Sequence, residues 1–207
     1  MLPILGKMFE GMIQPHLCDF LDEHEVVPPQ QCGFCPEKTC THQLWRVNKY
    51  VRQQLALRRS VGMLCLDSSS AFDCVLHDLL VFKMAQAGFP PHLLKMVDSF
   101  LTGRRFRVAI CQTMSQPMDM ELGVPQGSVI APTLFNIYVY DVPVPAEMEL
   151  AQFADDTAYW TSSHRTATTV NRLQKASSRV VKSYSKLGVR TNGPKSMAII
   201  FSRKWAH

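Results

Sequence analysis

Short apolar runs punctuate the chain, and the two most distinct end on carboxylates. Residues 63–66 (MLCL) and 150–154 (LAQFA) each have the length and apolar content of a buried strand. Two further runs, FRVAI and PMDMEL, predict the arms of a hairpin, and MAIIFS near the end predicts another strand. Longer mixed stretches over 72–87, 91–102, 128–140 and 166–187 predict helices, and the residues before about 60 are expected to be helical too. No apolar span reaches the twenty residues a membrane helix needs, and no signal peptide precedes the first element.

A buried strand has no structural need to finish on unpaired carboxylates. The first run is followed by Asp67, and the second by Asp155 and Asp156. Adjacent carboxylates repel unless a cation or a hydrogen-bond network compensates, and three of them at neighbouring strand ends suit Mg²⁺. Mg²⁺ usually shares its shell with substrate phosphates, which points to nucleotide chemistry. Between the two runs lies LGVPQGS, a loop with two glycines and a proline that feeds an apolar helix whose expected N-cap is Ser128. Gly127 would let backbone approach a ligand closely, and beside it Gln126 offers both a donor and an acceptor. Plainer readings exist for single residues. Asp67 before three serines suits a turn, Phe72 suits a core, Lys195 suits a solvated loop, and Asp73 with His77 suits a helix-capping pair.

In this set of motifs the chain resembles the reverse transcriptases of non-LTR retrotransposons, in particular the jockey-like group. The matching stretches are LPILGKMFE, the GF of QCGFCPEKTCTHQL, LDSSSAFDCVLHDLL, LTGRRFRV, GVPQGSVIAPTLFNIYVYDVP, FADDTAYW and NGPKSMAIIF, in the family's order and spacing. The resemblance implies an RNA-directed DNA polymerase that takes an RNA template, a DNA primer and deoxynucleoside triphosphates. Asp67, Asp155 and Asp156 would hold two Mg²⁺ ions, with Mn²⁺ as the alternative. Phe72 would stack under the sugar and exclude a ribose 2′-hydroxyl. Gln126 and Gly127 would pack on the incoming nucleotide and template, and Lys195 would lie near the triphosphate and protonate the leaving pyrophosphate. The implied fold is α/β of the α+β kind: a ferredoxin-like palm with an antiparallel sheet, in which the strand ending at Asp67 pairs with a hairpin tipped by Asp155 and Asp156. Residues 1–60 would form a fingers portion and 61–207 a palm. The endonuclease and thumb of a full element are expected to be absent, and processivity accordingly low.

Composition agrees with this reading without deciding it. A chain of 207 residues with 46% apolar content can bury a substantial core. Its 22 Lys and Arg against 17 Asp and Glu leave a modest charge of +5. The distribution matters more. Arg46, Lys49, Arg52, Arg58 and Arg59 form one basic group, which a solvated helix face explains equally well, and Arg104, Arg105 and Arg107 form a second. The second group opens the expected hairpin and is the better candidate for contacting a nucleic-acid backbone. Seven cysteines without secretory context predict free thiols and a nuclear or cytoplasmic protein without membrane association.

Cys32, Cys35, Cys40 and His42 invite a zinc-knuckle reading, but a Cys-x-His end is cramped for tetrahedral ligation. In the resembled family this stretch is closer to QFGFRxxHSTxHQ, so Cys35 stands where a phosphate-facing arginine is usual. A thiol cannot supply that charge-assisted hydrogen bond, so nucleotide affinity is expected to suffer. Two other readings compete: a degenerate remnant that only binds nucleic acid, and a nucleotide cyclase sharing the two-metal logic. The GVPQGS loop and Phe72 argue against the cyclase, which has no template to hold and no 2′-hydroxyl to reject.

Overall fold

In the computed structural model, which describes residues 4–203, the elements run from α1 (Ile4–Glu23) and α2 (Cys40–Ala56) to strands β1 (Ser60–Leu66) and β2 (Ser68–Ser69). A 3₁₀ turn at Ala71–Cys74 leads into α3 (His77–Gln86) and α4 (Pro91–Leu101). Four two-residue strands follow: β3 (Arg105–Phe106), β4 (Ala109–Ile110), β5 (Thr113–Met114) and β6 (Met118–Asp119). After α5 (Ala131–Tyr138) come β7 (Glu149–Phe153), β8 (Asp156–Ser163), α6 (Thr166–Lys186), β9 (Arg190–Thr191), a 3₁₀ turn at Gly193–Lys195 and β10 (Met197–Phe201). No helix among the described residues is long and apolar enough to cross a membrane. The chain divides into two units, Met1–Val27 with Ala71–Tyr140, and Pro28–Ser70 with Asp141–His207.

The second unit is built on a four-stranded antiparallel sheet in the order β10-β1-β8-β7. Its central strands are buried along most of their length, including the polar Thr157, Thr161 and Ser162 of β8. Val61, Leu64 and Leu66 of β1 and Tyr159 and Trp160 of β8 are buried, as are Leu173, Ala176, Val180 and Tyr184 along one stripe of α6. Each fully buried side chain of this size adds roughly 1.5–3 kcal/mol over an exposed one. The Tyr184 hydroxyl shares a 2.7 Å hydrogen bond with Thr157 Oγ1, which satisfies two polar groups inside this layer. Helix α2 starts where His42 Nδ1 accepts from the Thr39 N–H at 3.1 Å, so the histidine of the suspected knuckle serves as half of a capping box. All seven cysteines are free thiols.

Helices α1, α3, α4 and α5 form the first unit around Leu17, Leu80, Met84, Val97, Leu101, Leu134 and Tyr138. Two expectations need correction here. The helix read over 72–87 is broken: Val75 lies outside any helix, Leu76 is extended, and only His77–Gln86 is α-helical. The cause is non-local. The N–H groups of Gly123 and Val124 donate to the carbonyls of Val75 and Phe72 at 2.8 and 2.9 Å, and Leu76 bridges to Leu122, so the loop takes acceptors a helix would have used. Gly123 is the residue that permits this approach. Its φ is +86°, and a Cβ there would lie 2.8 Å from the Asp73 Cα.

The helix read from 128 starts instead at Ala131. Ile130 is its N-cap and Pro132 falls in the first turn, where its missing N–H costs nothing. Ser128 acts one step back, its Oγ accepting from the Ala131 N–H at 3.1 Å. That hydroxyl in turn donates to Glu10 of α1 at 2.6 Å, and the Val129 N–H donates to the same carboxylate oxygen at 2.6 Å. Glu10 is only 2% exposed, so one buried acid caps the entry to α5 from another helix.

Replacing Glu10 with Ala strands a buried hydroxyl and a backbone N–H. The expected cost is about 2 kcal/mol, which in a chain of this length lowers Tm by roughly 4–8 °C. Glu10→Gln, which keeps an acceptor oxygen, should lose less. Thermal melting followed by circular dichroism checks both, and an unchanged Tm for Glu10→Ala would rule out this capping role.

Candidate active site

The antiparallel ladder between β1 and β8 sets the position of the carboxylates. Its last pair is Leu66 with Thr157, so the next residues outward on the two strands are Asp67 and Asp156. Strand β7 closes its hairpin with β8 at Phe153 and Asp156, leaving Ala154 and Asp155 as a two-residue turn. Such turns require a positive φ, and Ala154 supplies it at +58°. A non-glycine residue held there stores about 1 kcal/mol of strain or more. Asp67, Asp155 and Asp156 are thus brought to one end of the sheet.

The backbone of Asp67 is held from both sides by the NGPKS segment. Asn192 N–H donates to the Asp67 carbonyl at 2.8 Å, and Asp67 N–H donates to Ser196 Oγ at 3.2 Å. Ser196 Oγ then donates to the Asn192 carbonyl at 2.7 Å, closing the grip. Lys195 lies exposed between these two holding residues, on the 3₁₀ turn joining β9 to β10. Asn192 and Ser196 were not among the residues singled out from sequence, although they flank Lys195 in its motif.

Asp155 is half-buried and Asp156 exposed. Burial pushes the Asp155 carboxyl above the ordinary carboxylate value, opposed by its own backbone N–H, while the charges of Asp156 and Asp67 push it further up. The three carboxylates therefore feel one another as repelling charges. Among the described residues, no group of three or more His, Cys, Asp or Glu side chains is gathered as a metal-ligand cluster, neither these carboxylates nor the Cys32, Cys35, Cys40 and His42 set. The donors nonetheless fit a hard cation: all are carboxylate oxygens at one strand end, in a field that already disfavours a third negative charge.

The remaining predicted residues lie in the first unit. Phe72, half-buried on the 3₁₀ turn, stacks on Phe135 of α5 with ring centroids 4.3 Å apart and planes 17° from parallel. Gln126 and Gly127 are exposed on the loop before α5. Gly127 has a φ of +80°, and a Cβ there would meet nothing within 4 Å. Gln126 Nε2 donates to both oxygens of Asp73, at 3.1 and 3.4 Å, and His77 Nε2–H donates to the Gly123 carbonyl at 2.8 Å. Asp73 and His77 therefore hold the GVPQG loop, and the helix-capping pair expected of them is not formed.

The basic residues are more engaged than their sequence clusters suggest. Arg104 folds back on α4, with its guanidinium 4.8 Å from the Phe100 ring centroid, and Arg105 pairs with Asp119 at 2.7 Å across β3 and β6. Arg107 stays exposed. On α2, Lys49 lies over Trp45 of the same helix, whereas Arg46 packs against the sheet, over the buried Trp160 and 3.6 Å from Glu149.

Residues 1–204 match the reverse transcriptase (RNA-dependent DNA polymerase) family. The chain is 31% identical to the RNA-directed DNA polymerase from mobile element jockey of Drosophila melanogaster, over 99% of its own length and 23% of that protein. It is 34% identical to the jockey polymerase of Drosophila funebris and 33% to the probable polymerase from transposon BS of Drosophila melanogaster, in each case over 79% of the chain and 19% of the relative. It thus spans about a fifth of the length of these relatives. In fold it is similar to Candida tropicalis telomerase bound to a TWJ fragment of telomeric RNA, with a TM-score of 0.65 at 13% identity over 95% of this chain and 34% of that one. The Candida albicans telomerase complex gives 0.65 at 11%, covering 94% and 35%. The fold is therefore the polymerase fold of helices with an antiparallel sheet, as expected. With a family match along nearly all of its length and three carboxylates at one end of that sheet, the chain belongs to the reverse transcriptase (RNA-dependent DNA polymerase) family.

Proposed function

We propose that this chain carries the nucleotidyl-transfer centre of an RNA-directed DNA polymerase, extending a DNA primer on an RNA template with deoxynucleoside triphosphates. The observation that carries the reading is the strand register, in which Asp67 and Asp156 are the next residues after the last β1–β8 pair and Asp155 occupies the adjoining turn. Enzymes of this family generally use divalent metal ions. Asp67, Asp155 and Asp156 are the residues that would hold two of them, Mg²⁺ or Mn²⁺. When bound, such ions lower the pKa of the primer 3′-hydroxyl and neutralise charge on the departing phosphates.

The chain's own groups have three further tasks. Lys195, exposed between the two residues that grip Asp67, would face the triphosphate and give a proton to the pyrophosphate. Phe72 would lie under the sugar, its ring fixed by stacking on Phe135, and a fixed ring leaves no room for a 2′-hydroxyl. Gln126 and Gly127 would contact the nucleotide and template, Gln126 with its amide oriented by Asp73. Arg104, Arg105 and Arg107 are the proposed backbone contacts. Arg107 is the strongest of these, because Arg105 already has a carboxylate partner.

Primer extension on an RNA template with Mg²⁺ tests the centre. The Asp155→Ala, Asp156→Ala double variant should lose at least about a thousand-fold in rate, equivalent to roughly 4 kcal/mol of transition-state stabilisation. Equal extension by both proteins would remove the carboxylates from the mechanism, and extension by neither would favour a remnant that only binds nucleic acid.

Substituting Phe72 by Val should relax rejection of ribonucleotides by about ten- to a hundred-fold. The measurement is the ratio of kcat/KM for deoxy- and ribonucleotides in single-nucleotide incorporation. Unchanged discrimination in an active Phe72→Val enzyme would sink the sugar-gate assignment.

A further inference from the structure

The turn that carries Asp155 and Asp156 is held by a side chain far away in sequence. Gln31 is 2% exposed, and its carboxamide faces the backbone of Ala154. Its Oε1 accepts from the Ala154 N–H at 3.1 Å and from the Gly33 N–H at 2.8 Å, while its Nε2 donates to the Ala154 carbonyl at 3.3 Å. One amide thus satisfies both polar groups of the turn residue with positive φ, as a neighbouring strand would. The segment around it is itself fixed. Gln152 N–H donates to the Gln30 carbonyl and Cys32 N–H to the Gln152 carbonyl, each at 2.9 Å, and Lys38 Nζ donates to the Gln31 carbonyl at 3.1 Å. Gly33 closes the contact. A Cβ there would collide with the Ala154 nitrogen and lie 2.8 Å from the Phe153 carbonyl carbon, so no side chain fits between this loop and the turn.

We propose that Gln31 is a positioning residue for the Asp155–Asp156 pair: its carboxamide holds Ala154 in the strained conformation that keeps both carboxylates at the sheet end. This rests on the reading of those carboxylates as the metal-holding centre. The physical argument is that a two-residue turn with an alanine at positive φ relaxes unless its surroundings over-determine it. Closure of the β7–β8 hairpin at Phe153 and Asp156 demands the positive φ of Ala154, and it is Gln31, from outside the hairpin, that satisfies the Ala154 N–H and carbonyl in that conformation. Gln31 supplies it without touching substrate or carboxylate, and its effect on chemistry is indirect.

The test uses the full chain and the variant Gln31→Met, which preserves side-chain length and volume and removes the hydrogen bonds. Amide hydrogen exchange should show the Ala154 and Gly33 N–H groups protected in the parent and exchanging at least ten-fold faster in Gln31→Met, with the β1–β8 amides unchanged. Mn²⁺ titration followed by electron paramagnetic resonance should show affinity weakened about ten-fold in Gln31→Met. Gln31→Glu, which keeps the acceptor for both N–H groups, should retain slow exchange at Ala154. Tyr50→Phe, which loses a hydrogen bond to Ser162 elsewhere in the same unit, serves as the control for general loosening and should leave Mn²⁺ affinity unaltered.

If Gln31→Met does not fold, Gln31→Asn carries the test, because its amide is one methylene too short and the same two losses are expected. Parent-like exchange and parent-like Mn²⁺ affinity in the folded variant would overturn the positioning role. Should the Asp155→Ala, Asp156→Ala protein bind Mn²⁺ as tightly as the parent, the metal-centre reading fails instead, while the exchange result still decides whether Gln31 holds the turn.

Discussion

The register between β1 and β8 is the constraint on which the candidate site depends. Antiparallel pairing alternates side chains between faces, so a one-residue slip would turn Asp67 to the other face and put Met63 and Cys65, or Cys65 and Asp67, where Leu64 and Leu66 now pack. The buried aromatics of β8, Tyr159 and Trp160, make that slip expensive because they occupy opposite faces of the sheet, Trp160 against Arg46 and Tyr50 of α2, and a slip would exchange the two faces. Hydrophobic packing several residues from the carboxylates therefore determines that Asp67 and Asp156 share one end of the sheet. The negative charges contribute nothing favourable to this arrangement: burial pushes the Asp155 carboxyl up, and the charges of Asp156 and Asp67 add to that push.

An arrangement that repels itself needs scaffolding, and it comes from segments remote in sequence. Asn192 and Ser196 hold the backbone of Asp67 across 125 and 129 positions, and Gln31 holds Ala154 across 123. In the first unit the same device recurs. Glu10 fixes the entrance to α5 across 118 positions, and Asp73 and His77 hold the GVPQG loop. Apart from Asn192, which uses its backbone N–H, in each case a polar side chain satisfies backbone or side-chain groups of a loop that regular secondary structure leaves unpaired.

The division between what the sequence disclosed and what it withheld follows the range of the interactions. Strand β1, the β7–β8 hairpin, α4 and α6 were legible because their signals are local: an apolar run that stops at a carboxylate, a proline at the first helical position, a long amphipathic stripe. The hairpin read from FRVAI and PMDMEL was legible only in part: Arg105–Phe106 pairs with Met118–Asp119, but Ala109–Ile110 turns back on Thr113–Met114 as a second ladder that the sequence did not signal. The break before α3 was not, since FDCVLHDLLVFK has nothing in it that opposes a helix, and only the arrival of the Gly123 and Val124 N–H groups takes the carbonyls away. Ser128 was a reasonable N-cap by its chemistry, and Pro132 moved the true start to Ala131. Gln31 and Glu10 carried no local signal at all, because an isolated glutamine or glutamate reads as surface.

The cysteines of this segment acquire physical content once Gln31 and Gly33 are in view. The Cys32 thiol is buried and accepts from Gln43 Nε2 at 3.0 Å, and the Cys32 N–H pairs with Gln152. The Cys35 thiol donates to the Gly33 carbonyl at 3.5 Å, so where the resemblance implies a phosphate-facing arginine this chain has a thiol engaged with its own loop backbone. On the proposed reading, position 35 bears on affinity for nucleotide and Gln31 on the geometry of the carboxylates, and the two are separable because the Cys35 thiol takes no part in the Gln31–Ala154 hydrogen bonds.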